Sequence, residues 1–212
     1  LQAHDVAMRD FSLDGVRVTD LVHKIWKQVV TAGDTVIDAT CGNGHDTAFL
    51  AKLVSGEGNQ GSVYGFDLQT IAIENTSSFL DKELNANQRE RVCLHQMCHS
   101  RLGEVIKQKN SVSVVAFNLG YLPGGAKGMI TKARTTVEAL GCATTLLQLG
   151  GVITVVSYVG HAGGREEYEA VRDFSAGLPS DSWISSQQEW LNRPLCPRLF
   201  VLVKKDSRTP NI

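Results

Sequence analysis

The sequence predicts an α/β fold: a seven-stranded, mostly parallel sheet with helices on both faces. Two observations carry this. Apolar, β-branched runs alternate with helix-period segments along most of the chain, an order that builds parallel sheets through helical crossovers. The first such unit runs Thr35-Val36-Ile37-Asp38, then a turn with Gly42 and Gly44, then Ala48-Phe49-Leu50-Ala51-Lys52-Leu53-Val54. Strand, glycine turn and helix in that order form the front of a nucleotide- or cofactor-binding unit. With 212 residues the chain suffices for one such domain and is short for two. We expect the domain over 18–212, behind an N-terminal arm at 1–17.

Taken in order, Val18, Leu21, Val22, Ile25, Trp26, Val29 and Val30 recur at helical spacing, and Gly33 ends that helix. The first strand and its glycine turn follow, with His45-Asp46-Thr47 opening the next helix. A second strand, Gly61–Asp67, again ends in an acid and precedes a helix at Thr70–Leu84. Arg91–His95 reads as a third strand and Ser100–Gln108 as a helix. Ser111–Phe117 is a near-continuous apolar run, as buried parallel strands are. Thr131–Leu149 predicts a long helix stopped by Gly150-Gly151, Val152–Tyr158 a fifth strand and Gly163–Phe174 a helix. Trp183–Leu191 and Arg198–Lys205 predict a closing pair of strands joined by a turn with Pro194 and Pro197, one of them antiparallel to the rest.

Composition excludes several classes. Hydrophobic content of 42% and charged content of 20% are those of a soluble globular protein, and no run approaches a membrane span. Five scattered cysteines without a Cys-x-x-Cys argue for a reducing, intracellular compartment. His95-Gln96-Met97-Cys98-His99 fits no structural zinc spacing, so no metal is expected. A net charge of -1 gives no global nucleic-acid footprint, although Lys107, Lys109, Lys127, Lys132 and Arg134 form one acid-free basic stretch and Arg193, Arg198, Lys204 and Lys205 another. The chain begins at Leu1, which fits a removed targeting peptide or a sequence boundary.

The chemistry concentrates at strand ends. A dinucleotide fingerprint needs a third glycine where Thr47 stands, which disfavours a nicotinamide oxidoreductase. The pattern is acid-x-x-x-Gly-x-Gly, from Asp38 through Thr40 and Cys41 to Gly42, Asn43 and Gly44. That spacing resembles the S-adenosylmethionine loop of Rossmann-like methyltransferases. Asp67, with Leu68 beside it, lies 25 residues beyond Gly42, where a carboxylate accepts from ribose hydroxyls or caps the next helix. At the fourth strand's end, Asn118-Leu119-Gly120-Tyr121 resembles the Asn-Pro-Pro-Tyr motif of amino-group methyltransferases, in which the amide carbonyl accepts from the target amine and the ring stacks on the base. A tight turn with Asn118 capping itself is the competing reading. His161, in the Gly-rich loop after the fifth strand, is placed to relay a proton, to hold a loop carbonyl or to meet a substrate phosphate.

Together, Asp38-Ala39-Thr40-Cys41-Gly42-Asn43-Gly44-His45-Asp46-Thr47, Gly65-Phe66-Asp67, Asn118-Leu119-Gly120-Tyr121-Leu122-Pro123-Gly124-Gly125 and Gly160-His161-Ala162-Gly163-Gly164 resemble, in order, one family. These are the tRNA 5-aminomethyl-2-thiouridine methyltransferases, long labelled rRNA methylases. The resemblance covers nearly the whole chain from about Val18. It implies a Rossmann-like class I methyltransferase that moves a methyl group from S-adenosyl-L-methionine to the exocyclic amine of the wobble uridine, releasing S-adenosyl-L-homocysteine. The partner implied is a tRNA anticodon stem-loop, with Lys127, Lys132, Arg134 and Arg193 as phosphate contacts; a homodimer fits as well. Cytoplasm, chloroplast or mitochondrion would suit such an enzyme, an organelle if a transit peptide precedes Leu1. The chain departs from the family pattern at Ala126, where an acid is usual, at Val159, where a second histidine is usual, and at Asn192-Arg193-Pro194-Leu195-Cys196-Pro197, where the family has Asn-Asn-Pro-Pro. The alternatives are a methyltransferase for rRNA or a small-molecule amine, and a non-catalytic nucleoside- or RNA-binding member.

Overall fold

The structure, a computed structural model, describes residues 17–56, 58–122, 130–193 and 195–206, without the side chains of residues 59 and 60. Helix α1 (Val18–Val29) leads into β1 (Thr35–Asp38) and α2 (His45–Val54). A two-residue ladder follows, β2 (Ser55–Gly56) with β3 (Asn59–Gln60), and then β4 (Ser62–Asp67), α3 (Thr70–Glu83) and a short α4 (Ala86–Glu90). Next come β5 (Val92–Gln96), a 3-10 turn (His99–Arg101), α5 (Leu102–Val105), β6 (Val112–Asn118), α6 (Ala133–Leu146) and β7 (Leu147–Ser157). The last elements are α7 (Gly164–Ala176), β8 (Trp183–Gln188) and β9 (Arg198–Lys204).

The seven long strands form one sheet in the order β5-β4-β1-β6-β7-β9-β8. Every pairing is parallel except those of β9, which runs antiparallel to both β7 and β8. The chain builds outward from β1 through β4 to β5, then returns to place β6 on the other side of β1. That reversal opens a crevice at the carboxyl ends of β1 and β6, the place where such sheets take ligands.

Alternation along the strands divides the core in two. Val36, Val114, Ala116 and Val152 pack beneath α1, α2 and α3, whereas Ile37, Val115, Phe117 and Ile153 pack beneath α5, α6 and α7. Helix α1 turns Val18, Leu21, Val22, Ile25 and Trp26 to the sheet, the one-face spacing of an amphipathic helix. Trp26, 1% exposed, places its indole N–H on Thr154 Oγ1 at 3.1 Å, so its burial leaves no orphaned donor.

Several boundaries differ from the sequence expectation. The helix expected to reach Leu149 stops at Leu146, and β7 starts at Leu147. Gly150 has φ +77°, and the pairing with β6 shifts between Val112↔Leu147 and Val114↔Val152. The glycine pair therefore forms a bulge inside the strand and does not end the helix. The helix expected at Ser100–Gln108 shrinks to the 3-10 turn and α5, and the strand expected to reach Leu191 ends at Gln188. Helix α4 was unforeseen, although Asn85 and Gln88 form a reciprocal capping box at its start. Residues 1–16 of the expected arm lie outside the described residues. No helix among the described residues is long and apolar enough to cross a membrane.

Candidate active site

The loop after β1 is braced from below by Asp38. Its Oδ2 accepts from Thr47 Oγ1 at 2.6 Å and its Oδ1 from Thr40 N at 3.2 Å. Asp38 is 1% exposed and Thr47 0%. Burial, reinforced by the charge of Asp46, raises the Asp38 carboxyl to about 7 against the pull of those two donors. Gly42 and Gly44 adopt φ +53° and +87°, where L side chains are strained. Gly44 also lies against α3: a Cβ there would meet Thr76 Cα at 3.1 Å. Thr76 Oγ1 donates to Gly42 O at 2.9 Å, tying the turn to α3.

Asp67 closes the loop from the β4 side. Its Oδ2 accepts from Gly42 N at 3.1 Å and its Oδ1 from Gln69 N at 2.9 Å. Burial raises its pKa, opposed by the backbone donors of Gln69 and Gly42. Asp46, in the first turn of α2, is held at 2.6 Å by Nε2 of His23, whose ring stacks on Phe49 with centroids 3.8 Å apart.

The second half of the site begins where β6 outruns β1. Ala39 N donates to Ala116 O at 2.8 Å, the last such link between the strands. Two residues on, Asn118 N finds a side chain instead and donates to Thr40 Oγ1 at 2.7 Å. Gly120 N likewise donates to Thr131 Oγ1 at 2.8 Å, Thr131 N returns a bond to Gly120 O at 3.0 Å, and Tyr121 bridges Ile130. Tyr121, 60% exposed, stands edge-on to His161 with centroids 6.2 Å apart. His161 Nδ1 lies 3.0 Å from Ala162 O; a carbonyl only accepts, so Nδ1 is the donor there, and in the neutral ring Nε2 carries the lone pair. Nε2 has no hydrogen-bond partner.

The two halves enclose a cleft of about 500 Å³, within the range of small-molecule sites. Of the residues singled out from sequence, Thr40, Cys41, Gly42, Asn43, His45, Asp46, Asp67 and Leu68 line its first half. Asn118, Tyr121, Lys132, Arg134 and His161 line its second. Asp38, Gly44 and Thr47 do not line it: Asp38 and Thr47 are sealed beneath the loop, and Gly44 is packed on α3. Arg193 is exposed in the β8–β9 turn, outside the lining. Lys127, Pro123, Gly124, Gly125 and Ala126 lie outside the described residues.

Other lining residues were not anticipated. His99, 7% exposed, has an unpartnered Nε2; burial depresses its pKa to about 4, against the backbone bond to Ala39, so it is a neutral acceptor. Tyr158 joins the wall at the end of β7, its pKa raised by burial and by Asp46 and Tyr121. Behind Thr131 stands Glu167, 1% exposed, with Oε2 accepting from Thr131 Oγ1 and Oε1 from Thr136 Oγ1, each at 2.6 Å.

Residues 63–204 match the family described as "Putative rRNA methylase". The chain belongs to this family. The matched span takes in Asp67, Asn118, Tyr121, His161 and Glu167, while the loop at 38–47 precedes it. A relative from Arabidopsis thaliana, "tRNA (mnm(5)s(2)U34)-methyltransferase, chloroplastic", is 48% identical over 193 residues, 90% of this chain and 70% of its own. Among solved structures, an rRNA-methylase of the same description from Clostridium thermocellum is 41% identical with a TM-score of 0.82, covering 89% of this chain and 98% of that one. A methyltransferase described from Streptococcus mutans, solved in complex with SAH, is 29% identical with a TM-score of 0.77 and the same coverage.

Proposed function

We propose that this chain methylates the exocyclic amine of 5-aminomethyl-2-thiouridine at the wobble position of tRNA. The methyl donor is S-adenosylmethionine, and the products are the 5-methylaminomethyl nucleoside and S-adenosylhomocysteine. One observation carries the reading: a donor-type loop and an amine-binding turn meet, with Asn118 N on Thr40 Oγ1 at 2.7 Å. The Arabidopsis relative bears the name of that tRNA activity, and the Streptococcus mutans relative was solved with SAH.

The residues fit the cofactor. Gly42 at φ +53° leaves backbone open to a ligand where a side chain would intrude. Asp67 spends one lone pair of each oxygen on Gly42 and Gln69, and a carboxylate has about four acceptor sites, so the ribose hydroxyls can be taken by the rest. S-adenosylmethionine supplies an electrophilic methyl group on a sulfonium.

What remains for the protein is alignment and dehydration. An alkyl amine has a pKa of about 10.4, so holding it neutral near pH 7 corresponds to about 4.6 kcal/mol. The Asn118 amide oxygen accepts an N–H of the amine and aims its lone pair, while Tyr121 offers its exposed ring to the base. As the nitrogen–methyl bond forms and the carbon–sulfur bond breaks, the nitrogen gains positive charge and must lose a proton. His161 is the imidazole of this wall that can take it: its Nε2 is unpartnered but buried against Gly120 and Gly164, so the ring turns toward the cleft to do so. Lys132 and Arg134 stand at the rim beside this turn, where anticodon phosphates of the stem-loop would lie. The relative's chloroplastic name supports a plastid location for this chain.

Incubation of the protein with S-adenosylmethionine and tRNA bearing 5-aminomethyl-2-thiouridine, then mass spectrometry of the nucleosides, tests the reading. We expect a gain of one methyl group on that nucleoside; its absence would sink the assignment.

A further inference from the structure

We propose that Glu167 is a positioning residue for methyl transfer, holding through Thr131 the neck of the turn that carries Asn118 and Tyr121; this rests on the methyl-transfer reading above. The carboxylate sits in the first turn of α7, behind the cleft and outside its lining, yet it is the fixed end of a short relay. Gly120 N donates to Thr131 Oγ1 at 2.8 Å, and Thr131 Oγ1 donates to Glu167 Oε2 at 2.6 Å.

The polarity of this relay depends on an ionised acid. A hydroxyl has one proton and two lone pairs and rotates to suit its neighbours. An ionised carboxylate can only accept. It therefore draws the Thr131 proton toward α7 and leaves a lone pair facing the Gly120 N–H. Thr136 Oγ1 occupies the other oxygen at 2.6 Å, which stops the carboxylate from turning away. The neck is also closed by Thr131 N on Gly120 O at 3.0 Å and by the bridge from Tyr121 to Ile130. Gly120 has φ +125°, and a Cβ on it would lie 3.4 Å from His161 Nε2. The backbone that Glu167 fixes is thus the floor under the proton acceptor and the root of Tyr121.

Burial at 1% exposure is a costly setting for a carboxylate, and a well-packed apolar side chain would often be as stable or more so. Its pKa is raised by burial, against the pull of Thr131, Thr136 and His161. A costly acid whose oxygens are spent on one loop neck and one helix acts by holding geometry.

The test is a mutant cycle on the full chain: Glu167→Ala, Thr131→Val, their double, Thr131→Ser and Thr136→Val. Each is measured for kcat on aminomethyl tRNA, for S-adenosylmethionine Kd by calorimetry, for thermal midpoint and for amide exchange at Asn118–Tyr121. Because the residues act as one relay, we expect each of Glu167→Ala and Thr131→Val to lower kcat by about 30-fold, with the double mutant no worse than the lower single. Cofactor Kd should stay within about twofold, since the relay ends at Gly120 and bonds to none of the loop residues 38–47. Thr131→Ser should restore kcat, Thr136→Val should cost less than either damaging variant because it loosens the carboxylate and leaves the Thr131 bond in place, and exchange at Gly120 should quicken in the two damaging variants. Multiplying losses, unchanged kcat, or a kcat that falls only in step with folded protein would overturn the proposal. Should Glu167→Ala fail to fold, the Thr131→Val and Thr131→Ser pair decides alone. A wild-type protein without activity would defeat the functional reading, whereas unchanged Gly120 exchange in both damaging variants would defeat the relay whatever the activity.

Discussion

Asp38 and Asp67 are both acids at strand ends, and burial gives them different work. Asp38 has its oxygens taken by Thr40 and Thr47 within a sealed layer, while Asp67 faces the cleft. Charged hydrogen bonds contribute about 1.5–3 kcal/mol, roughly 10- to 100-fold in affinity. Asp67→Ala should weaken S-adenosylmethionine binding by that factor in calorimetry, whereas Asn118→Ala should lower kcat and leave that Kd alone. Equal effects on both quantities in both variants would contradict the division. The Asp38 carboxyl is raised to about 7 in the fold from about 3.9 in the unfolded chain. Between those values the folded state binds more protons, so this group's contribution falls as pH rises through the window. Asp38→Asn should therefore flatten the decline of the thermal midpoint between pH 4 and 7 and leave it no lower at pH 8. The acid-x-x-x-Gly-x-Gly pattern and the ligand-facing place of Asp67 were readable in the sequence, but the sealing of Asp38 was not, because burial is set by α2 and α3 packing over the loop. Glu167 was unreadable for a similar reason: its partners Thr131 and Thr136 are 36 and 31 residues away, and locally it is one more acid in a helix's first turn.

At the level of elements, the strands were legible because their apolar runs are continuous. Val112 through Phe117 are all buried in β6, as the run from Ser111 to Phe117 predicts. Ends were less legible where glycines stand, since a glycine marks a helix stop and a bulge equally well. Gly150 resolves to the bulge through φ +77° and the shift in pairing at the start of β7. At the start of α2 the glycine does different work again. Gly44 combines φ +87° with close contact to Thr76, and a non-glycine residue held in that region costs about 1–3 kcal/mol. Gly44→Ala should lower the unfolding free energy by about that amount in urea titration and weaken cofactor binding by displacing the loop from α3. No change in stability would mean that this turn relaxes freely.

Across the whole molecule, the strand order brings distant sequence together. Because β6 returns to lie beside β1, Thr40 and Asn118, 78 residues apart, share a hydrogen bond. Periodicity located the strands without their order, and the one antiparallel strand, β9, falls where the closing pair was expected. The basic stretches could not be placed from sequence: Lys132 and Arg134 line the cleft, whereas Lys204 caps carbonyls of Thr144 and Leu147 at the far end of α6. Arg134 is largely exposed and paired with Glu138, a surface pair of small worth that a phosphate can replace. Lys132→Ala and Arg134→Ala should each raise KM for tRNA, reduce the slope of log affinity against log salt by about 1, and leave cofactor binding unchanged. Salt slopes equal to that of the wild type would remove these two residues from the RNA surface.

The central claim is that the acceptor is a primary amine on the wobble uridine, presented to a methyl donor between β1 and β6. Transfer of labelled methyl from S-adenosylmethionine, compared between one tRNA with 5-aminomethyl-2-thiouridine, the same tRNA with plain uridine there, and ribosomal RNA, measures it directly. The account predicts label in the first alone; equal label in the plain-uridine tRNA or the ribosomal RNA would contradict it.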